Sequence, residues 1–592
     1  MGNNKILKSG EFLVEETDSE NIFIPEEFTE EQQMIAQTCR DFLATEVYPR
    51  VNDLEKGDRE LMKSVLKKSG EMGLMGISVP EEYGGFAQSF VTQMLVAETT
   101  GAGYSFSVAF MAHCGIGTLP IMYYGNDEQR QRYVSRLASG ELIGSYCLTE
   151  PGAGSDANAG KTTATLSEDG KHYILNGQKM WITNGGFADT QVVFAKIDND
   201  RVQSAFVVEK DYPGVVIGPD EHKMGIKGSS TVQIYYNDVK VPVENLLGKR
   251  GEGFRIALNI LHMGRLKLGG SVLGAAKRTI NDSVKYASER KQFGTLISSF
   301  GAIKYKLANQ VIKLFATESA AYRVSSDIDQ LMEKLKKELP DPGRASIEAI
   351  SHYAVEAAIL KVYGSEMLDY VVDEGVQIHG GMGYSAEMDV ERAYRDSRIN
   401  RIFEGTNEIN RILVVDTAMK KAKKHDFDLF EKSEKLANDL DNIPDANTDL
   451  KDYFDQKAMY ISGFKKLTLI CLHEAVKGFG KSLVMQQEVL NNLADMIMEI
   501  YVSESLMLRV KKLETMKGQR EVYRDILDTY IYDAAAFIRK SACDALYSVV
   551  PPEKCEALIR TTEKLTSVKG VNVKEARRRI ADKLIEDNSY MF

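Results

Sequence analysis

The sequence is poor in the residues that usually announce special chemistry. Its 592 residues hold one tryptophan, six cysteines, eight histidines and thirteen prolines. The cysteines, at 39, 114, 147, 471, 543 and 555, are scattered and form no Cys-x-x-Cys pair. In so long a chain this excludes a disulfide framework and reads as reduced intracellular thiols. The histidines make neither a His-Glu-x-x-His motif nor a close cluster, so no metal site is signalled. No uninterrupted apolar run reaches about 18 residues, which speaks against a spanning helix. MGNNKILKSGEFLVEETDSE lacks a signal-peptide core, and Ile6 breaks the myristoylation pattern. Basic residues are in deficit, 74 against 85 acidic, for a formal charge of -11. That balance argues against broad nucleic-acid binding. A cytoplasmic globular protein is the expectation.

What is present organises into blocks. The length exceeds one hydrophobic core and implies three or four domains. Residues 1–26 read as a polar lead-in. Residues 27–140 carry apolar stripes at helical spacing, opened by Thr29 and Gln32 in a capping-box pattern. Short β-prone runs separated by Gly, Asn, Asp and Pro turns mark 141–245 as a small β domain, with Asn176-Gly177 as a chain reversal. Residues 246–420 return to long helices, three of them before the Gly-rich stretch at 379–385, and read as a helical bundle. Residues 421–448 form a polar linker, and 449–592 a C-terminal helical domain. The fold class is mainly α with a small β domain.

Several stretches could carry chemistry. TEPGAGSDANAG (149–160) is Gly-rich, and free N–H groups beside small hydroxyls can cradle phosphates; a surface turn explains it equally well. It is not a P-loop, since GxxxxGK[ST] is absent. MWITNGG (180–186) holds the only tryptophan. Trp181 fits a core role, or a flat-ligand site with Thr183 beside it. HGGMGYS (379–385) follows a helix and lacks the third glycine, so a dinucleotide fingerprint is rejected. Arg290, Gln292 and Phe293 lie at a helix end, where a cation suits the dipole or could meet a diphosphate. Glu404, in RINRIFEGTNEINR, follows Ile402 and Phe403. Burial there would raise its pKa and improve it as a base, although most glutamates are merely solvated.

Taken together, YCLTEPGAGSD, KMWITNGG, ERKQFG, VQIHGGMGYS and YRDSRINRIFEGTNEI resemble the blocks of the acyl-CoA dehydrogenase family over roughly 27–415. The length and helical tail resemble its very-long-chain members, which carry an appended C-terminal domain. The resemblance implies helical, β and four-helix-bundle domains and non-covalent FAD. It further implies a fatty acyl-CoA substrate converted to the trans-2-enoyl-CoA, and electron transfer flavoprotein as oxidant. Carried over by position, Glu404 is the catalytic base. Tyr146, Leu148, Thr149, Ser155, Trp181, Thr183, Thr406 and Glu408 fall at flavin contacts. Arg290, Gln292, Phe293, Gln377 and Gly381 belong to a flavin site shared between subunits, which implies a homo-oligomer, at least a dimer. Ser155, Arg265 and Gly405 fall at substrate positions.

Two departures bear on this. Gly264 has no side chain, so the base that some members place on that helix is excluded here; a glycine there also resembles long-chain members, where it leaves room for the acyl group. Glu408 stands where some members have Gln, and a carboxylate cannot donate the amide hydrogen bonds. His379 is read as structural. Rival readings are an oxidase that passes electrons to oxygen, a non-catalytic interaction protein on the same scaffold, and a membrane-associated form using 421–448 or the tail.

Overall fold

The computed structural model describes residues 6–339, 341–444 and 450–592. The first five residues of the lead-in, Pro340 of the PDPGR break, and 445–449 at the linker and domain boundary lie outside them. The expected fold class is what is seen: helices at both ends of the chain and a β sheet between.

Helix Glu30–Phe42 starts where the capping box predicts. Gln32 N donates to Thr29 Oγ1 (3.2 Å), and Thr29 N donates back to Gln32 Oε1 (3.0 Å). The apolar stretch after Ser89 becomes Phe90–Gly101, Ser105–Ala112, a π turn over His113–Gly117, and Leu119–Tyr124. By length and composition Ser105–Tyr124 could cross a membrane, but 78% of it is buried inside the protein, as a core helix would be. Glycine spacing sets the packing against helix Gly253–Glu289. A Cβ on Gly274 would lie 1.8 Å from the Glu98 carbonyl oxygen, and one on Gly101 would lie 2.0 Å from that of Ser271. The two helices therefore meet backbone to backbone, which only glycine permits.

Among the described residues the main sheet has eight strands. Seven run in the order Val215–Asp220, Thr231–Pro242, His172–Thr183, Thr163–Leu166, Thr190–Ile197, Ser204–Glu209 and Leu246–Leu247. Gly144–Cys147 also pairs with Thr190–Ile197, in parallel, Tyr146 opposite Val192. The Asn176-Gly177 reversal is corrected: the pair lies inside strand His172–Thr183, where the register slips between Leu175 and Gly177. Asn176 Nδ2 donates to Asp238 Oδ1 on the neighbouring strand, and Asp238 N donates to Asn176 Oδ1, both at 2.9 Å. A side-chain bridge and a bulge thus replace the turn.

Helices Gly253–Glu289, Gly301–Glu338 and Ala354–His379 form the bundle. The third helix of the sequence reading is in fact two, Pro342–His352 and Ala354–His379, broken at Tyr353. The reason is the lead-in, which is not a free polar arm. Ser9 Oγ accepts from Val355 N (3.2 Å) and donates to Glu356 Oε2 (2.6 Å), while Gly10 N donates to Glu356 Oε1 (2.9 Å). Phe12, Leu13, Ile22 and Ile24 are buried. Lysines of the C-terminal helices hold its backbone: Lys465 Nζ donates to Glu15 O (2.8 Å) and Lys512 Nζ to Ile22 O (2.6 Å). The linker reading also changes. Helix Asn407–Lys423 runs into 421–448, and Leu429–Ala437 is helical, anchored by buried Phe427 and Leu429.

Helices Tyr453–Phe479, Gln487–Lys517 and Glu521–Val549 dominate the C-terminal part. Arg509, 1% exposed, joins three parts of the chain: Nη2 donates to Glu26 Oε1 (2.7 Å) and Nη1 to Glu318 Oε2 (2.7 Å). Lys277 completes the set on Glu318. Removing one member of a buried ionic set strands the others. R509A is expected to lose about 3–5 kcal/mol, read as a lower urea midpoint. R509M should destabilise as well, since Glu26 and Glu318 would remain buried.

Candidate active site

Glu404 stands on a connection built to be sharply bent. Helix Asp389–Ser397 passes into a 3-10 turn, Arg398–Arg401. Glu404 then has φ +57° and Gly405 φ +81°. Thr406 restarts the helix, its Oγ1 accepting from Ile409 N (3.3 Å). A left-handed conformation costs a non-glycine residue roughly 1–2 kcal/mol, so something must hold it. Arg265 Nε donates to Glu404 O (3.0 Å), and Asn410 Nδ2 donates to Gly405 O (2.8 Å) and Thr406 O (3.0 Å). The guanidinium grips the backbone and leaves the carboxylate unpaired.

That carboxylate lines a cavity of about 90 Å³ together with Thr183, Gly264, Lys267, Phe403 and Met111. Some of the residue remains accessible, but Oε2 is buried and, among the described residues, has no hydrogen-bond partner. Burial pushes the Glu404 carboxyl up to about 7, against the pull of Arg265 and Lys361. Tyr146 is held well above the usual phenol range, first by burial and then by Glu404. Burial also lowers Lys267, which faces the same cavity. A carboxylate that ionises near neutral pH in an apolar cavity is equipped to take a proton from a weak carbon acid.

Gly264 is explained by this carboxylate. A Cβ there would meet Glu404 Oε2 at 2.9 Å and Oε1 at 3.1 Å. The space left by the missing side chain admits the Glu404 side chain, and Gly264 lines the cavity beside it.

The other expected residues fall into two groups. Tyr146 and Leu148 lie buried on and just after the first strand; Lys179 Nζ donates to Leu148 O (3.1 Å) and Met180 N to Thr149 O (2.9 Å). Buried Lys179 also pairs with Glu150 (2.7 Å) and so anchors the Gly-rich loop at its neck. Ser155 is exposed, and a Cβ at Gly152 or Gly154 would meet nothing within 4 Å. Trp181 is 54% exposed at φ +61°, two residues from the cavity-lining Thr183. Thr406 caps its helix, and Glu408 is exposed, its carboxyl lowered by its own backbone N–H and by Thr406. Arg265 and Gly405 adjoin, 3.5 Å separating a Gly405 Cβ from Arg265 Nη2.

Arg290, Gln292, Phe293, Gln377 and Gly381 form the second group. All are exposed, and none lines the Glu404 cavity. They sit at the ends of helices Gly253–Glu289 and Ala354–His379, joined by Tyr286 stacked on His379 at 4.2 Å. His379 Nδ1 bonds the Gly375 carbonyl (2.7 Å), a structural setting. The sequence reading missed Lys361 and Asn410. Lys361 had a signal: a charge inside the apolar run AVEAAILKVYG.

Comparison with known proteins gives this geometry its context. Three acyl-CoA dehydrogenase domain profiles match in order: N-terminal at 29–141, middle at 145–239 and C-terminal at 251–419. A further acyl-CoA dehydrogenase C-terminal profile matches 463–562. A probable acyl-CoA dehydrogenase of Bacillus subtilis is 43% identical over 587 residues, 99% of this chain and 98% of its own. The chain belongs to the acyl-CoA dehydrogenase family. An acyl-CoA dehydrogenase from Bacillus anthracis, crystallised with FAD, superimposes with a TM-score of 0.96 at 43% identity, covering 99% of this chain and 100% of that one. The rat very-long-chain specific acyl-CoA dehydrogenase is 41% identical over 62% of this chain, which there spans about half of the relative's length (55%).

The Gly264 contact yields a direct test. G264A should push the Glu404 carboxylate aside and lower kcat/KM for an acyl-CoA by about 100-fold, the scale of an ångström-level misplacement. Wild-type kinetics in G264A would show that the carboxylate does not need that space.

Proposed function

We propose that this protein catalyses FAD-dependent α,β-dehydrogenation of a fatty acyl-CoA to the trans-2-enoyl-CoA, with Glu404 as base. The observation that carries this reading is the unpartnered, buried Glu404 Oε2 on a cavity shared with Thr183. The reading is supported by family membership and by a structural relative that binds FAD.

The residues present suit a flat, diphosphate-bearing cofactor. Trp181 leaves an indole face uncovered, Thr183 offers a hydroxyl at the cavity, and the Gly152–Gly154 loop is open enough for close backbone approach. Tyr146, Leu148, Thr149, Ser155, Trp181, Thr183, Thr406 and Glu408 would hold FAD in one subunit. Arg290, Gln292, Phe293, Gln377 and Gly381 would reach it from a second; Phe293, 96% exposed, has the surface for that role. A homodimer is the smallest assembly that this arrangement permits. When bound, FAD supplies the acceptor for the hydride that leaves the acyl β-carbon.

The chain's own part is acid–base chemistry and placement. Glu404, ionised, removes the α-proton as charge develops on the thioester oxygen. The Glu404 N–H is the proposed donor to that oxygen, and Ser155, Arg265 and Gly405 are the proposed substrate-facing positions. Arg265 fixes the base by its carbonyl. The cavity is largely apolar, and an acyl chain that fills it would displace water and strengthen each of these interactions.

Electron transfer flavoprotein is the proposed acceptor. The finer expectation of a long acyl chain is supported by the names of very-long-chain relatives such as the rat protein. Its other motives are the long helical tail and Gly264, which lines the cavity beside Glu404.

E404Q should keep its yellow FAD and bind acyl-CoA, yet lose about 100- to 10,000-fold in kcat; normal turnover would remove Glu404 from its role. In the wild type, kcat/KM should rise with pH through about 7, because burial raises Glu404 and only its ionised form accepts the proton. A pH-independent rate from 5.5 to 8.5 would contradict this. The same assay ranks palmitoyl-CoA above butyryl-CoA if the long-chain reading holds. Peroxide release without electron transfer flavoprotein would turn the assignment toward the oxidase.

A further inference from the structure

Lys361 is the one basic residue of AVEAAILKVYG, whose other charge is Glu356, and it is fully buried on helix Ala354–His379. Its Nζ donates to Asn407 Oδ1 (2.7 Å), three residues beyond the base. Asn407 Nδ2 in turn donates to Glu366 Oε1 (3.0 Å). Arg411 clamps Glu366 with two bonds, 2.7 and 2.9 Å, and reaches Asp495 of helix Gln487–Lys517 at 2.7 Å. The loop carrying Glu404 is thus tied at its C-terminal side to the bundle and, through Arg411, to the appended helices.

Resting on the reading of Glu404 as base, we propose that Lys361 is a positioning residue for the reaction: through Asn407 it holds the loop, and its ammonium stabilises the ionised form of Glu404. An amine without carboxylate neighbours would not be expected at full burial. The charge neighbours of Lys361 are Glu404, Arg265, Glu408 and Glu366. Around Glu404, helix Gly253–Glu289 presents Arg265, His262 and, on the cavity wall, Lys267; the first strand presents Tyr146. His262 is lowered to about 3 by burial and Arg265 and is neutral at working pH, as is Tyr146. Burial lowers Lys361 to about 7 and raises Glu404 to about 7, and each is among the charges that act on the other. Protonated Lys361 favours ionised Glu404, a charge effect that Arg265 supplies from the other helix.

The test is the acid limb of kcat/KM for the FAD-loaded enzyme in three variants. K361M removes the cation, so Glu404 should hold its proton more tightly and the limb should move to higher pH by about one unit, a tenfold loss below pH 7. K361R keeps a charge that does not titrate, so its limb should move the other way, to lower pH. Both changes should fall on kcat more than on KM, unlike a general loosening, which lowers activity at every pH alike. If K361M does not fold, K361R alone decides through the direction of its shift. Limbs that stay at the wild-type pH, with E404Q inactive, overturn the role of Lys361 and leave the base in place. An active E404Q overturns the base itself.

Discussion

The bond from Arg265 Nε to the carbonyl of Glu404 is the constraint on which the site depends. Had the guanidinium paired with the carboxylate, Glu404 would be a weak base locked in an ion pair. By holding the peptide it stabilises a left-handed turn and leaves Oε2 free. The neighbouring residue completes the device. Gly264 and Arg265 are consecutive on one helix; the first makes room for the carboxylate and the second fixes the backbone behind it. The helix that carries them is seated in turn by glycines meeting the Phe90–Gly101 helix backbone to backbone. Placement of one carboxylate therefore reaches back through two layers of packing.

The basicity of that carboxylate is a contest between burial and two cations. Burial wins: the group rises from 4.5 to about 7 although Arg265 and Lys361 both oppose the rise. The difference corresponds to about 3 kcal/mol between protonation states. A base near the working pH combines a useful ionised fraction with strength toward a carbon acid. A drier site would leave Glu404 protonated, and a more strongly paired one would make it too acidic. Burial outweighs the cations, and the cations limit the rise.

Much of this was legible in the sequence where the cause is local. The capping box at Thr29 and Gln32 needs only residues three apart, and long helices announce themselves by periodicity. The blocks around Glu404, Trp181 and the Gly-rich loop pointed to the family. What escaped has non-local causes. The break at Tyr353 is made by Ser9 and Gly10, more than 340 positions away in the chain. Asn176-Gly177 has the composition of a turn, but Asp238 on another strand turns it into a bulge. The lead-in is polar in sequence because much of its surface is backbone and carboxylate offered to Lys465, Lys512 and Arg509. Lys361 was visible as an anomaly, but its meaning required Asn407 and Glu404 to be brought beside it.

The appended helices also gain a physical account. They cover the lead-in with cations that have no other reason to be buried, and an uncompensated buried charge is among the costlier defects a core can hold. Arg509 needs both Glu26 of the lead-in and Glu318 of the bundle, and Lys465 shares Glu504 with Arg323. Each set is satisfied only when lead-in, bundle and C-terminal helices are assembled together. Such sets contribute less to net stability than apolar packing of the same volume would, and more to register. That suits their location, because Arg411 carries the same register from Asp495 to Glu366 and so, through Asn407, to the loop of Glu404. The C-terminal helices are thereby part of the frame that aims Glu404, and a shift of helix Gln487–Lys517 would be felt at Asn407 before it was felt in the sheet.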